Sequence, residues 1–222
     1  MDLETISRQD CTLKIVLNKE LSYLLGVYLT DGSITDKNFN LQVIDKDFAE
    51  LVLEYWKKII PTTKAYLRER NDNTSWNKQK RYVIKIGIGQ YANFFREMTN
   101  NKNHIPLCLW DANNGLKRWF IAGVMDGDGW ISKTERKSPP SEVGKFQYRI
   151  GIGGVAEGWI HEFRQLLSEF NVKSNKIERY LTKNGKWFCR FNVRPKTFFD
   201  ANLFFTIKRK QDRCTIASTT AR

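Results

Sequence analysis

Val124-Met125-Asp126-Gly127-Asp128-Gly129-Trp130 places two carboxylates and two glycines directly after the apolar run Phe120-Ile121-Ala122-Gly123. Asp-Gly pairs mark turns where the chain reaches positive φ, and a metal site at the end of a buried helix uses the same residues. A second copy separates the two readings. Leu24-Leu25-Gly26-Val27-Tyr28-Leu29-Thr30-Asp31-Gly32-Ser33-Ile34 matches Ile121-Ala122-Gly123-Val124-Met125-Asp126-Gly127-Asp128-Gly129-Trp130-Ile131. Both read apolar-x-Gly-Val-x-x-small-Asp-Gly-x-Ile. Asp31 and Asp128 lie 97 residues apart, a length suited to a small α+β unit, and the chain divides into halves 1–114 and 115–222.

The segments downstream of the two copies are also parallel. Residues 38–43 alternate, with Phe39, Leu41 and Val43 on one face and Asn38, Asn40 and Gln42 on the other, the pattern of a half-buried strand. Residues 46–60 have helical period. Strands are expected at 63–70 and 80–89, separated by a polar loop that contains Trp76, and a short helix comes next. The second half repeats this order: a strand at 145–150, a helix at 156–170, strands around the turn Lys183–Lys186, and a helical segment from Pro195. The likeness of residues 84–95 to 149–160 suggests a rival period of about 65 residues. Element order makes the first a late strand and the second an early one, so the longer spacing governs. Trp110, Trp119 and Phe120 read as core, whereas Trp76 suits either stacking on a bound partner or cover for a sheet edge.

As helices, the two copies place Gly26 with Thr30, and Gly123 with Gly127, four apart on one face. Small residues at that spacing let two helix backbones approach closely. Gly32 and Gly129 are expected to be left-handed caps that stop the helices. Two such helices side by side bring Asp31 and Asp128 together at their negative ends, an unfavourable place for carboxylates without a counter-ion. A divalent cation resolves the repulsion, and carboxylates with the backbone carbonyls of Thr30 and Gly127 suit Mg²⁺. Phosphate as the remaining ligand gives metal-assisted phosphodiester hydrolysis. An EF-hand is excluded because Trp130 and Ile131 stand where its acidic position and glycine belong. A glycosidase pair is not excluded by spacing.

The net charge of +13 and pI near 9.6 point to a polyanionic partner. The first half carries 16 Lys/Arg against 14 Asp/Glu, the second 21 against 10. Cys11, Cys108, Cys189 and Cys214 are scattered, and with His104 and His161 they form no zinc spacing. The glycines form no dinucleotide or P-loop pattern. Reduced thiols, no apolar run of membrane length and no leader-like N-terminus predict an intracellular protein, in bacterial or phage-infected cytoplasm or an organelle.

The two stretches resemble the LAGLIDADG motif, and the chain resembles a single-chain LAGLIDADG homing endonuclease with two motifs. The second copy, IAGVMDGDG, is close to the consensus; the first, LLGVYLTDG, has Leu29 where the sixth position is usually acidic. The eighth position is Asp in both. The resemblance implies two pseudo-symmetric αββαββα halves, each with a four-stranded antiparallel sheet, packed through the motif helices into a saddle over double-stranded DNA. It implies a monomer that makes a double-strand break with short 3′ overhangs during intron homing. Mg²⁺ is the implied cofactor, with Mn²⁺ able to substitute and Ca²⁺ binding without supporting cleavage. Base-reading residues are expected at Asn38, Asn40, Gln42, Arg68, Arg70, Arg81, Lys85, Lys133, Gln147, Arg149, Arg190, Arg194 and Lys210. Each site also carries a basic residue in this family: Lys102 is the first-half candidate, and Lys208 or Lys210 the second. Two other readings keep the fold: an intron maturase that binds RNA, and a DNA-binding protein without cleavage.

Overall fold

The computed structural model describes residues 15–74, 77–135 and 146–220. The first half runs α1 (Lys19–Leu29), β1 (Ser33–Thr35), β2 (Asn38–Val43), α2 (Lys46–Ile59), β3 (Ala65–Thr74), β4 (Asn77–Gly87), α3 (Tyr91–Met98) and α4 (Leu107–Trp110). The second runs α5 (Asn114–Gly127), β5 (Gly129–Glu135), β6 (Phe146–Gly154), α6 (Glu157–Glu169), β7 (Glu178–Leu181), β8 (Trp187–Val193), α7 (Pro195–Asp200) and α8 (Lys208–Thr220). Two antiparallel sheets result, ordered β1-β2-β4-β3 and β5-β6-β8-β7. β4 and β6 therefore occupy different ranks in their sheets, and the 97-residue repeat is the structural one.

Local sequence accounts for the start of each motif helix. Asn18 Oδ1 accepts the Leu21 N–H at 2.8 Å, and Asn113 Oδ1 accepts the Leu116 N–H at 3.1 Å, so an Asn caps both. Alternation does the same for the sheets. Phe39, Leu41, Val43, Ile84 and Ile86 are buried against α2, where Phe39 meets Trp56 at a 5.4 Å centroid distance. Ile150, Ile152, Cys189, Phe191 and Val193 are buried on the second sheet, as are Trp159, Phe163 and Leu167 of α6. Burying a large apolar side chain contributes roughly 1.5–3 kcal/mol, so these two faces fix the register.

Two expectations about these elements are corrected. The polar stretch between the strands of the first hairpin is itself strand: β3 and β4 pair from Ala65↔Ile86 out to Thr74↔Asn77. Alternation was silent there because no apolar face needs cover. Gly32 and Gly129 do not adopt positive φ. They are glycines for space: a Cβ on Gly32 would lie 2.7 Å from the Phe39 ring, and one on Gly129 2.4 Å from the Met125 carbonyl oxygen. The chain also continues past α7 into α8, whose start bonds to Asp45 and Asp47 of the first half and which packs on α7, β5 and β6.

Cys108, Cys189 and Cys214 are free thiols. Cys11, Trp76 and the side chain of Gln147 lie outside the described residues. Among the described residues no helix is long and apolar enough to cross a membrane.

Candidate functional site

Helices α1 and α5 meet backbone to backbone. A Cβ on Gly26 would lie 2.4 Å from Phe120 O, one on Gly123 2.2 Å from Tyr23 O, and one on Gly127 2.0 Å from Thr30 Oγ1. No larger residue fits these three positions without moving a helix. The packing brings the two C-terminal ends together, with Asp128 as the cap residue of α5 and Asp31 just beyond that of α1.

The electrostatics of the pair derive from that placement. Burial pushes Asp128 up to about 6, and the neighbouring Asp31 carboxylate adds to the rise, against Lys102 and Lys210. Asp31 is also raised by burial, with Lys210 and then Lys102 opposing. Two carboxylates and two ammonium groups thus interact at the joined helix ends, with Lys210 buried, Asp128 and Lys102 half-buried and Asp31 open to solvent.

Each lysine caps a motif helix. Lys102 Nζ donates to the carbonyl oxygens of Thr30 and of Gly32, the latter at 3.0 Å. Lys210 Nζ donates to Met125 O at 3.0 Å, to Asp126 O, and to Gly127 O at 3.2 Å. A cation on the last carbonyls satisfies orphan acceptors and opposes the negative end of the macrodipole. Burial lowers both ammonium groups, while the aspartates oppose that shift. The carbonyls of Thr30 and Gly127, expected as metal ligands, therefore accept from lysines. Lys208 is exposed, and its backbone N–H donates to Asp47 Oδ2 at 2.8 Å. Residues two apart on a helix face nearly opposite sides, so Lys210 rather than Lys208 reaches α5; where α8 begins was not legible in a polar sequence.

Asp126, whose counterpart in the first copy is Leu29, serves the packing of the second half. It is 2% exposed and accepts from Tyr23 Oη at 2.8 Å, from the Thr206 N–H at 3.1 Å, from Thr206 Oγ1 and from the Ile207 N–H at 3.3 Å. It ties the segment that leads into α8, and hence Lys210, to the motif helix.

A cleft of about 350 Å³ opens beside Asp31, lined also by Gln42, Asp45, Trp130, Lys210 and Arg213 among others. Around it lie the polar sheet faces. In the first sheet, Asn40 pairs with Lys85, Lys85 with Tyr66, and Arg70 with Arg81, while Asn38 and Gln42 share the strand face of Asn40 and Arg68 that of Arg70. All seven first-half candidates share the face away from the core. In the second sheet Arg149, Arg190 and the Gln147 position share that face, and Arg194 comes directly after β8. Lys133 does not join them. Its register partner is Tyr148, on the side of Ile131 and Ile150, which the alternation from buried Ile131 already implied. Lys210 is 8% exposed, so its ammonium belongs to the helix ends rather than to the sheet face.

Two residues on the polar face were missed. A Cβ on Gly151 would lie 2.4 Å from the Trp130 ring and 2.7 Å from Asn192 Oδ1, so Trp130 and Asn192 cover this glycine close to the carboxylates. The alternation from Ile131 and Phe191 carried the signal for both. Among the described residues no group of three His, Cys, Asp or Glu side chains could hold a metal.

Residues 115–192 match the family model described as a LAGLIDADG-like domain. The chain is 24% identical over 206 residues to an uncharacterised protein of Methanocaldococcus jannaschii, covering 87% of this chain and 69% of that one. It spans less than a third of the length of the further curated relatives it matches. Among solved structures it is similar to I-DmoI in complex with DNA and Ca, with a TM-score of 0.51 and 13% identity over 79% of this chain and 82% of that one. It is similar also to full-length DUF199/WhiA from Thermatoga maritima, with a TM-score of 0.57 and 13% identity over 92% of this chain and 61% of that one. The chain thus carries a LAGLIDADG-like domain over residues 115–192 and has, across both halves, the α+β fold of LAGLIDADG homing endonucleases.

Proposed function

We propose that the chain is a site-specific DNA endonuclease that makes a double-strand break by metal-dependent phosphodiester hydrolysis. One observation carries the reading: Asp31 and Asp128 meet at the ends of helices whose contact leaves no room for a Cβ at Gly26, Gly123 or Gly127. Lys102 and Lys210 already supply the cations that helix ends call for, so stability alone does not account for two carboxylates placed beside them. The net charge of +13 and the polar sheet faces supply the matching affinity for a duplex.

The donor set fits a hard divalent cation such as Mg²⁺. Asp31 and Asp128 would hold it, with oxygens of the substrate phosphates and water as the further ligands such an ion takes. When bound, the ion supplies an activated water and stabilises the leaving oxygen. The residues of the chain do the rest. Asp31 and Asp128 fix the position of the ion. Lys102 and Lys210 keep the carboxylates ionised and bring positive charge to the phosphates, already oriented by their bonds to the helix ends. Asn38, Asn40, Gln42, Arg68, Arg70, Arg81, Lys85, Arg149 and Arg190 read base edges or phosphates along the two sheets, Asn and Gln suiting adenine and Arg suiting guanine.

A second reading is favoured by one observation. Because the carbonyls of Thr30 and Gly127 accept from lysines, a protein of this fold could bind nucleic acid without cleaving it. Selection of cleaved products from a randomised DNA library, with Mg²⁺ against Ca²⁺, distinguishes the two. Recovery of one long sequence cut on both strands in Mg²⁺ alone supports the nuclease. Enrichment of a bound sequence with no cut product in either ion supports the binder.

A further inference from the structure

Each lysine at the helix ends sits in a segment anchored to a carboxylate of the opposite half. Lys210 opens α8, and the start of α8 is held by the N-terminus of α2 in the first half. Arg209 Nε donates to Asp45 Oδ1 at 3.0 Å and Arg209 NH2 to Asp45 Oδ2 at 2.9 Å, while the Lys208 N–H reaches Asp47 Oδ2 at 2.8 Å. Lys102 lies in the connection after α3, and that connection is held by α6 of the second half. The Ile105 N–H donates to Glu162 Oε2 at 2.6 Å, and His104 Nδ1 lies 2.6 Å from Glu162 Oε1.

The Lys102 segment needs such an anchor. Asn100, Asn101 and Lys102 have φ of 43°, 51° and 71°, three successive left-handed residues without a glycine. Lysine enters that region at a cost of order 1 kcal/mol or more, so surrounding contacts must impose it. Within the first half the segment is tied by Thr99, whose Oγ1 accepts the Lys102 N–H at 3.1 Å. Beyond Lys102 the N–H groups of Asn103 and His104 return to Thr99 O at 2.8 and 3.0 Å, and at Ile105 the chain passes to Glu162, in the other half. A Cβ on Gly158 would lie 2.7 Å from Asn103 O, so α6 presses directly on this turn.

The Asp45–Arg209 pair is bidentate, and its Asp45 side chain is only 15% exposed. A two-point contact fixes orientation as well as distance, unlike a single surface ion pair. Glu162 accepts a backbone N–H, which pins the main chain itself.

We propose that Asp45 and Glu162 are positioning residues in a reciprocal brace, each setting the lysine that serves the motif of the other half. The inference rests on the endonuclease reading for its strand-cutting consequence, and on the contacts above for the brace itself. Its content is that neither half holds a complete site alone: Glu162 governs the motif of Asp31 through Lys102, and Asp45 governs the motif of Asp128 through Lys210.

The test is a double dissociation. On a plasmid carrying the selected target, Asp45→Asn is expected to slow cutting of one strand about 10- to 100-fold, the scale of a misplaced catalytic group. Glu162→Ala is expected to slow the other strand by a similar factor, so that the two variants accumulate opposite nicked products. Asp45→Arg combined with Arg209→Asp restores the first strand, and Glu162→Gln, which keeps an acceptor for Ile105, loses less than Glu162→Ala. Equal slowing of both strands by either variant, or no slowing, overturns the brace. Amide hydrogen exchange on the DNA-free protein supplies an independent readout: Asp45→Asn is expected to speed exchange around residues 206–210 and Glu162→Ala around 102–105. If the wild type fails to cut, the endonuclease reading falls, and this exchange pattern alone decides the brace; acceleration in both segments or neither overturns it.

Discussion

The β3–β4 hairpin of the first half runs ten and eleven residues per strand, whereas β7–β8 of the second runs four and seven. Inside the motifs the contrast reverses. The second copy has Asp126 buried in a network with Tyr23, Thr206 and Ile207, and the first has Leu29, buried and apolar, at the same place. Lys102 arrives on a left-handed turn and Lys210 on a helix. Yet both ammonium groups end on the last carbonyls of a motif helix, and both aspartates sit at its end. The two halves agree where chemistry on two equivalent phosphates would require it. They diverge in how the geometry is reached and in the reach of the sheets, as an asymmetric target would favour.

That contrast can be broken at the helix contact first. Gly123→Ala puts a methyl 2.2 Å from a backbone carbonyl that cannot retreat, and the expected loss is about 4 kcal/mol of unfolding free energy. Gly87→Ala, whose nearest neighbour lies at 3.8 Å, should change stability little. Urea titration of both variants compares them; similar midpoints would mean that the helices are not held at backbone contact.

Asp126→Ala strands the N–H groups of Thr206 and Ile207 and leaves the buried Tyr23 hydroxyl with Thr206 Oγ1 alone, 2.9 Å away, at an expected cost of about 3 kcal/mol. Because the network leads into α8, limited proteolysis is expected to start near residue 206. Resistance equal to wild type would show that α8 is held by Asp45 and Asp47 alone.

A smaller effect carries a pH signature. Asp128 titrates at about 6 in the folded chain against an ordinary carboxylate value of 3.8, so its ionised form is less favourable folded than unfolded. Stability is lost as pH rises from about 4 to about 6 and stays lower above. Asp128→Asn is therefore expected to raise stability on the order of 1–2 kcal/mol at about pH 8 and not at about pH 3.5, after discounting for partial solvent access. A gain independent of pH would assign the effect to packing instead.

The gentlest test concerns charge. The first half carries 16 Lys/Arg against 14 Asp/Glu and the second 21 against 10, so binding to the second half-site is expected to have the steeper salt dependence. Equal slopes in half-site titrations would place the excess charge away from the duplex.

Much of the fold and the site was legible because the molecule repeats itself. Two copies of one motif gave the helix pair, its small-residue contact and the aspartates, and alternation gave the faces of β2, β4 and β8. Other features had no local signal. Gly32 and Gly129 look like left-handed caps in any sequence; only Phe39 and the Met125 carbonyl show that they are glycines for space. The distal ends of β3 and β4 are polar in sequence at every position, so period-2 hydrophobicity could not find them. Lys210 displaced Lys208 because the phase of α8 is set by Asp45, Asp47 and Asp126, each more than 80 residues away in sequence. Lys133 is different: its face was implied by Ile131 two residues earlier.

The central claim is that the paired aspartates make this fold a nuclease. Cleavage of a supercoiled plasmid bearing the selected target, by wild type, Asp31→Asn and Asp128→Asn in Mg²⁺, tests it most directly. Linear product is predicted from the wild type, and neither linear nor full-rate nicked product from either variant, while both variants still bind the target in Ca²⁺. Linearisation at the wild-type rate by either variant would contradict it.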